Sequence, residues 1–434
     1  MSLAPPGKVA YVNARVVDPA TKFDGPGQVL TIGEEIAAVG PKLFDKPPAD
    51  AKVVDCQGYC LTPGLIDMRV QLREPGEEHK ESLKSSGEAA VAGGVTTMVC
   101  LPNTNPVIDD EPTVEYVARR ARKHALAKVY VYGAVTKGLQ GKELAEMGLL
   151  SEAGALGFTD ATRAIADAQV MRRALSYAAT FGLMIIQHPE EPTLAGGSMN
   201  AGEMATRLGL SGIPREAEII MLERDLRLVA MTGGRYHAAH VSTAESVDLI
   251  ARAKKKGLNV TCDTAPFYFA LNEMAVGDYR TFAKLSPPLR GEDDRKAIVE
   301  GLKSGVIACI ASDHAPQDQD SKRLPFPQAA FGGSGLETLL TVSLGLFHDG
   351  ALGLIDVLRL MTEAPARLLG LDAGRLAAGK KADLVIFDPN RAWKVIADDF
   401  RSKSKNSPFD GRPVEGRVMR TVIDGRPVFD ELGR

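Results

Sequence analysis

From residue 63 to residue 369 the chain alternates short, nearly continuous apolar runs with longer stretches whose apolar positions recur at helical spacing. The runs are Leu65–Val70, Val95–Leu101, Lys128–Val135, Ala155–Phe158, Leu183–Gln187, Tyr236–His240, Asn259–Asp263 and Val306–Ala311. A strand that is apolar on both faces belongs to a parallel sheet covered by crossover helices. Eight such units predict a closed (β/α)8 barrel. The competing doubly wound open sheet lacks its Gly-rich phosphate loop after an early strand. Helix signals agree with the alternation. Ser242-x-x-Glu245 reads as a capping box ahead of a run that stops at Gly257. Asp167 can cap a helix that ends at Gly182, and Glu216–Met231 carries aliphatics at helical spacing behind Pro214.

The two ends of the chain follow a different rhythm. Val9–Val53 and Gly374–Val428 are rich in Val, Ile, Gly and Pro, with short alternating runs and turn dipeptides. VMRTVIDGRPVF, from Val418, reads as a hairpin with Asp-Gly at its turn. Residues 1–62 and 370–434 are therefore expected to form one small β-sandwich domain beside a barrel spanning 63–369.

Composition narrows the function classes. With 44% apolar and 25% charged residues and a net charge of -3, the chain offers no electrostatic case for nucleic acid or an anionic membrane. No apolar run reaches the ~18 residues that span a bilayer. The opening MSLAPPGKVAYVN lacks a signal-peptide pattern, so a cytoplasmic protein is expected. The five cysteines are scattered without zinc-ribbon spacing and read as reduced, buried thiols.

Barrel chemistry sits where the strands end. Arg69 and Gln71 close the first run, Asn103 the second, Asp160 the fourth, His188 the fifth, His240 the sixth and Asp313 the eighth. Any one of these histidines is more often a satisfied core residue than a ligand. Two of only seven histidines at consecutive strand ends, with two carboxylates nearby, favour a metal site. Imidazole and carboxylate bind zinc at ~2.0–2.2 Å and lower the pKa of its water toward ~7. Asp313 could then carry the proton in an amide hydrolysis; its bland alternative, in IASDHAPQD, is a turn former. The charged, Pro/Gly-punctuated stretch Ala315–Gly333 could cover the mouth or lie solvated on the surface.

Longer motifs carry a family likeness. PGLIDMRVQLREPG, AAVAGGVTTMVCLPNTNPV, GALGFTD, IIQHPEE, LGLSGIPREAE, AAHVSTAES, LSPPLRGEDDR, IASDHAPQD, FGGSGLETLL and SKNSPFDGRPVEGRV span nearly the whole chain. In these the chain resembles the dihydroorotases of the amidohydrolase superfamily. The resemblance implies a barrel with a β-sandwich and reversible ring closure between carbamoyl aspartate and dihydroorotate, in pyrimidine biosynthesis. It makes Asp160, His188 and His240 the metal ligands, Asp313 the general acid/base, and Arg73, Asn103 and Gln317 the substrate-binding positions. Arg73 would pair with the substrate's carboxylate.

Three departures stand against the pattern. Arg69 and Gln71 occupy the family's His-x-His positions, Gln317 replaces a substrate-holding histidine, and APFYFALNE has Phe267 and Tyr268 in place of imidazoles. One reading is a working hydrolase with at most one zinc per chain, or none, held by Asp160, His188 and His240. Some superfamily deacetylases work with such a reduced site. The other is a non-catalytic homologue that scaffolds aspartate transcarbamoylase, as some dihydroorotase-like chains do. An allantoinase or hydantoinase is the third. A homodimer and an acidic cyclic amide substrate complete the expectation.

Overall fold

Parallel strands buried on both faces need helices over an open sheet or closure on one another under a helical layer, and the computed structural model, which describes residues 6–432, shows the closed arrangement. Five strands, β1 (Lys8–Asp18), β2 (Phe23–Ile32), β3 (Glu35–Gly40), β4 (Lys52–Asp55) and β5 (Cys60–Pro63), come first. The barrel begins with β6 (Leu65–Val70), β7 (Val95–Cys100), β8 (Lys128–Gly133), β9 (Ala155–Phe158) and β10 (Met184–Gln187). After the two-residue strands β11 (Met199–Asn200) and β12 (Gly212–Ile213), it continues with β13 (Arg235–Ala238), β14 (Val260–Thr264) and β15 (Cys309–Ile310). These eight parallel barrel strands are hydrogen-bonded in the order β15-β14-β13-β10-β9-β8-β7-β6. A parallel bridge between Val70 and His314, with the Gln71 amide donating to the His314 carbonyl at 2.9 Å, joins the last strand to the first. The barrel is therefore closed, as the alternation of apolar runs predicts.

Two cores follow from this closure. Inside the barrel, Ile66, Met68, Val99, Tyr132, Ile186 and Cys309 pack together, and the helix Glu363–Leu369 adds Ala364, Ala366 and Leu369. Outside, the covering helices pack their apolar stripes on the same strands. The helix Ala168–Thr180 is capped by Asp167, whose carboxylate accepts from Gln169 and Val170. The helix Glu216–Thr232 follows Pro214 as expected. One cap shifts. Thr243, not Ser242, caps the helix Ala244–Lys255, because Ser242 turns inward to bond the buried Glu218 carboxylate.

Both ends of the chain meet in one further sheet. With β16 (Leu384–Lys394), β17 (Pro413–Ile423) and β18 (Arg426–Asp430), its main order is β18-β17-β16-β5-β1-β2-β3, and β4 pairs with β1. The Asp-Gly turn is the expected hairpin. Ile423 pairs with Arg426, and Asp424 and Gly425 have φ of 47° and 72°, the left-handed pair that a tight two-residue turn needs. The sheet curls around its own core of Tyr11, Val29, Ile36, Leu61, Leu384 and Ile386. All five cysteines are free and buried. No helix among the described residues is long and apolar enough to cross a membrane.

Candidate active site

The barrel mouth is built from residues held in unfavourable backbone. Arg73, Ala161, His240 and Asp313, at or just past the ends of β6, β9, β13 and β15, all have positive φ, from 41° to 63°. For residues with a Cβ this region is strained, by on the order of 1–3 kcal/mol each, and persists where surroundings over-determine it. For His240 that surrounding is visible. Its backbone N–H donates to the Asp263 carboxylate, whose other oxygen lies 3.2 Å from the His237 ring.

At the centre a buried run of polar groups crosses the mouth. Arg69 Nε donates to Asp313 Oδ1 at 2.9 Å, and an Arg69 terminal nitrogen donates to the Ala161 carbonyl at 3.3 Å. His240 Nδ1 lies 3.3 Å from the same Asp313 oxygen, outside hydrogen-bonding geometry. His240 Nε2 is 2.7 Å from His188 Nδ1, and His188 Nε2 is 3.3 Å from Glu190 Oε2. Ser286 donates to Glu190 at 3.0 Å. Each of the two hydrogen bonds, His188–Glu190 and His188–His240, needs one proton between its atoms, and two neutral imidazoles bring two.

The same contacts set the acidities. Burial pushes the Asp313 carboxyl up, but His240 and Arg69 outweigh it and hold it below the usual range. Burial, with Arg69 next, pushes the His240 imidazole down. Burial also opposes ionisation of Glu190, and His188 turns the balance so that its carboxyl is lowered.

The sequence-predicted residues separate into three places. His188, His240, Asp313 and Arg69 come together. Asp160 does not join them in a ligand set: Oδ1 accepts from the Val135 and Thr136 amides at 3.1 and 2.9 Å, and Oδ2 accepts from the Thr136 hydroxyl. Burial pushes its carboxyl up against these bonds. Arg73, Asn103 and Gln317 are engaged on the other side of the mouth. Arg73 donates to Glu77 at 2.8 Å and to the Pro316 carbonyl, Asn103 to Gln71 at 3.1 Å, and Gln317 to the Phe331 carbonyl at 2.8 Å. Phe267 and Tyr268 are buried, and the Tyr268 ring stands edge-on to His240, 6.4 Å away.

A cavity of about 570 Å³ opens beside His188 and Glu190, with Lys142, Arg163, Asp167 and Pro192 among its walls. Glu190, Ser286 and the two cations escaped the sequence reading. Glu190 stands two residues after His188 in QHPEE, but Arg163 and Lys142 lie in loops without periodic signal.

The metal implied by the resemblance does not fit this arrangement. Among the described residues no group of three or more His, Cys, Asp or Glu side chains is placed to hold an ion. Asp160 faces Thr136, the imidazoles face one another, and Arg69 puts a guanidinium beside Asp313. The expected Asp160–His188–His240 ligand set is thus not assembled, because Val135 and Thr136, just past the end of β8, capture the aspartate.

A closed barrel with acid and imidazole groups at its strand ends, beside a sheet made from both termini, defines an amidohydrolase-type architecture. Comparisons agree. Residues 58–246 match the family described as Dihydro-orotase-like, and residues 217–429 match the Amidohydrolase family. The chain is 47% identical to the dihydroorotase of Wolbachia sp. subsp. Drosophila simulans (strain wRi), covering 98% of this chain and 96% of that one. It is 46% identical to the dihydroorotase of Anaplasma phagocytophilum (strain HZ), covering 97% and 95%. Among solved structures, the L-hydantoinase of Arthrobacter aurescens superposes with a TM-score of 0.87 at 26% identity, covering 98% of this chain and 96% of that one. The chain belongs to the dihydroorotase family of amidohydrolases.

Proposed function

We propose that this chain is a cytoplasmic, dihydroorotase-type cyclic amidohydrolase that interconverts dihydroorotate and N-carbamoyl-L-aspartate in pyrimidine synthesis. The observation that carries the reading is Asp313. It is held at a strained strand end between His240 and Arg69, in the run that reaches the cavity through His188 and Glu190. In the hydrolytic direction the water oxygen bonds to the ring amide carbon, the carbon–nitrogen bond breaks, and the water's proton ends on the leaving nitrogen. Asp313 and the imidazole pair provide the path for that proton, and Arg69 supplies positive charge toward the developing oxyanion. No step is assigned to a metal. Lys142 and Arg163, on the cavity wall, replace Arg73 and Asn103 as partners for the substrate's carboxylate, since those two are committed to Glu77 and Gln71. Dihydroorotate hydrolysis by the purified chain, assayed with metal content on the same sample, tests the reading; a folded chain with no turnover in either direction rejects it.

One observation favours a second reading. Arg69 is 2% exposed and occupies the general acid/base in a salt bridge, the arrangement expected where the mouth has become structural. In that reading the chain is a non-catalytic, homodimeric scaffold for aspartate transcarbamoylase. Co-purification from the source cell followed by sizing tests it, and a chain that migrates alone while hydrolysing dihydroorotate counts against it.

A further inference from the structure

We propose that the Arg69 guanidinium takes the place of a divalent metal in the barrel mouth, so that the folded chain excludes zinc from the His188–His240 pair. This goes beyond the hydrolase reading and does not depend on turnover.

Three observations carry it. Zinc needs an imidazole nitrogen with a free lone pair aimed at the ion. Here three of the four ring nitrogens are taken by hydrogen bonds, His188 Nδ1 and His240 Nε2 with each other at 2.7 Å and His188 Nε2 with Glu190 at 3.3 Å. The fourth, His240 Nδ1, makes none and faces the Asp313 oxygen that Arg69 already holds, 3.3 Å away. Second, the carboxylate that would complete the site is braced away, since Asp160 takes three donors from Val135 and Thr136. Third, the position carries a fixed charge already. Arg69 is 2% exposed and spans from Asp313 Oδ1 to the carbonyl of Ala161, the residue next to Asp160. Arginine stays protonated, and a guanidinium that cannot withdraw into water repels a dication placed among the same groups. Gln71 consolidates the exchange, because its amide is tied to Asn103 at 3.1 Å and its backbone to His314.

The experiment equilibrates the full-length chain with excess zinc ions, desalts it, and reads elemental content together with the melting temperature in zinc and in a chelator. The expected result is no stoichiometric zinc and the same melting temperature in both. Arg69→Ala should then raise zinc affinity by on the order of tenfold or more, as the repelling charge is removed. Arg69→Gln serves the same purpose if the alanine variant fails to fold. Stoichiometric zinc in the unaltered chain that is lost in His188→Gln would overturn the proposal, as would unchanged zinc affinity in a folded Arg69 variant. Zinc that persists in His188→Gln lies outside the mouth and upholds it. A zinc-free chain that hydrolyses dihydroorotate upholds both this proposal and the hydrolase reading. A zinc-free chain without turnover upholds this proposal and removes the hydrolase.

Discussion

Asp67 sits directly beneath Arg69 with no access to solvent, and only one of its oxygens is satisfied. Oδ1 accepts from the Arg69 and Ser312 amides at 3.1 Å each, which ties the end of the first barrel strand to the end of the eighth. Burial pushes this carboxyl up to about 7. Between the ordinary carboxylate range near ~4 and that value, the unfolded chain has released a proton that the folded chain still holds. Stability therefore falls as pH rises through this window, and Asp67 is a net cost above it. Asp67→Asn keeps the acceptor oxygen and removes the titration. Its melting temperature relative to the parent should climb from pH ~4 to ~7 and level off beyond; parallel pH profiles for the two proteins would rule the account out. Arg69 invites a different measurement. If it stabilises the oxyanion, Arg69→Ala should lower turnover by roughly tenfold to a thousandfold, the loss seen on deleting one stabilising donor. Because the change also unpairs buried Asp313, the melting temperature should fall as well, by an amount matching about 3–5 kcal/mol, and steady-state kinetics on protein shown to be folded at the assay temperature separates the two effects.

At the scale of strands and loops, burial explains what was legible in advance. Strands such as β6 and β7 are buried at every position, so their apolar runs mark them without ambiguity. The eighth run was expected over Val306–Ala311, yet only Cys309–Ile310 keeps ladder pairing, and its end turns at Asp313 with φ of 49°. Strand ends could be found because polarity begins there, but side-chain direction could not. Asp160 stands at the expected place and points to Thr136, a residue on the neighbouring strand's loop that no spacing rule links to it. The loop Ala315–Gly333 shows the same limit. Its charges left open whether it covers the mouth or lies solvated, and they did not reveal that Lys322 within it, like Lys284 of the preceding segment, is only 3% exposed. Lys322 Nζ donates to the Thr281, Lys284 and Ala330 carbonyls, and Lys284 Nζ to those of Phe326 and Pro327. These lysines fasten the loop to the segment that carries Ser286. Lys322→Met should leave carbonyls unpaired, cost about 1–3 kcal/mol, and speed amide exchange across residues 317–331. Unchanged exchange in that loop would show that its backbone is held by something else.

Over the whole molecule, the two terminal segments are bound into the barrel rather than appended to it. Val17, Cys60, Val385, Phe387, Val418 and Ile423 of the composite sheet share one continuous core with Leu65, Val95 and the helix residues Ala89 and Val91. Thr421 of β17 donates to the Val91 carbonyl at 2.7 Å. The charged counterpart is Lys128, at the start of the third barrel strand, which reaches Asp383 at 2.7 Å and Asp424 at 2.8 Å. Burial opposes the Lys128 ammonium, but the two carboxylates outweigh it and raise its pKa. These links predict that the sheet and the barrel unfold together, since separating them would expose the core they share. Lys128→Ala leaves two half-buried carboxylates facing one another, a loss of about 1–3 kcal/mol for the charge-assisted bonds. Calorimetry should show a lower melting temperature with a single transition retained. Two resolved transitions, in the parent or the variant, would mean that the composite sheet folds as a unit of its own and that the shared core does not couple it to the catalytic barrel.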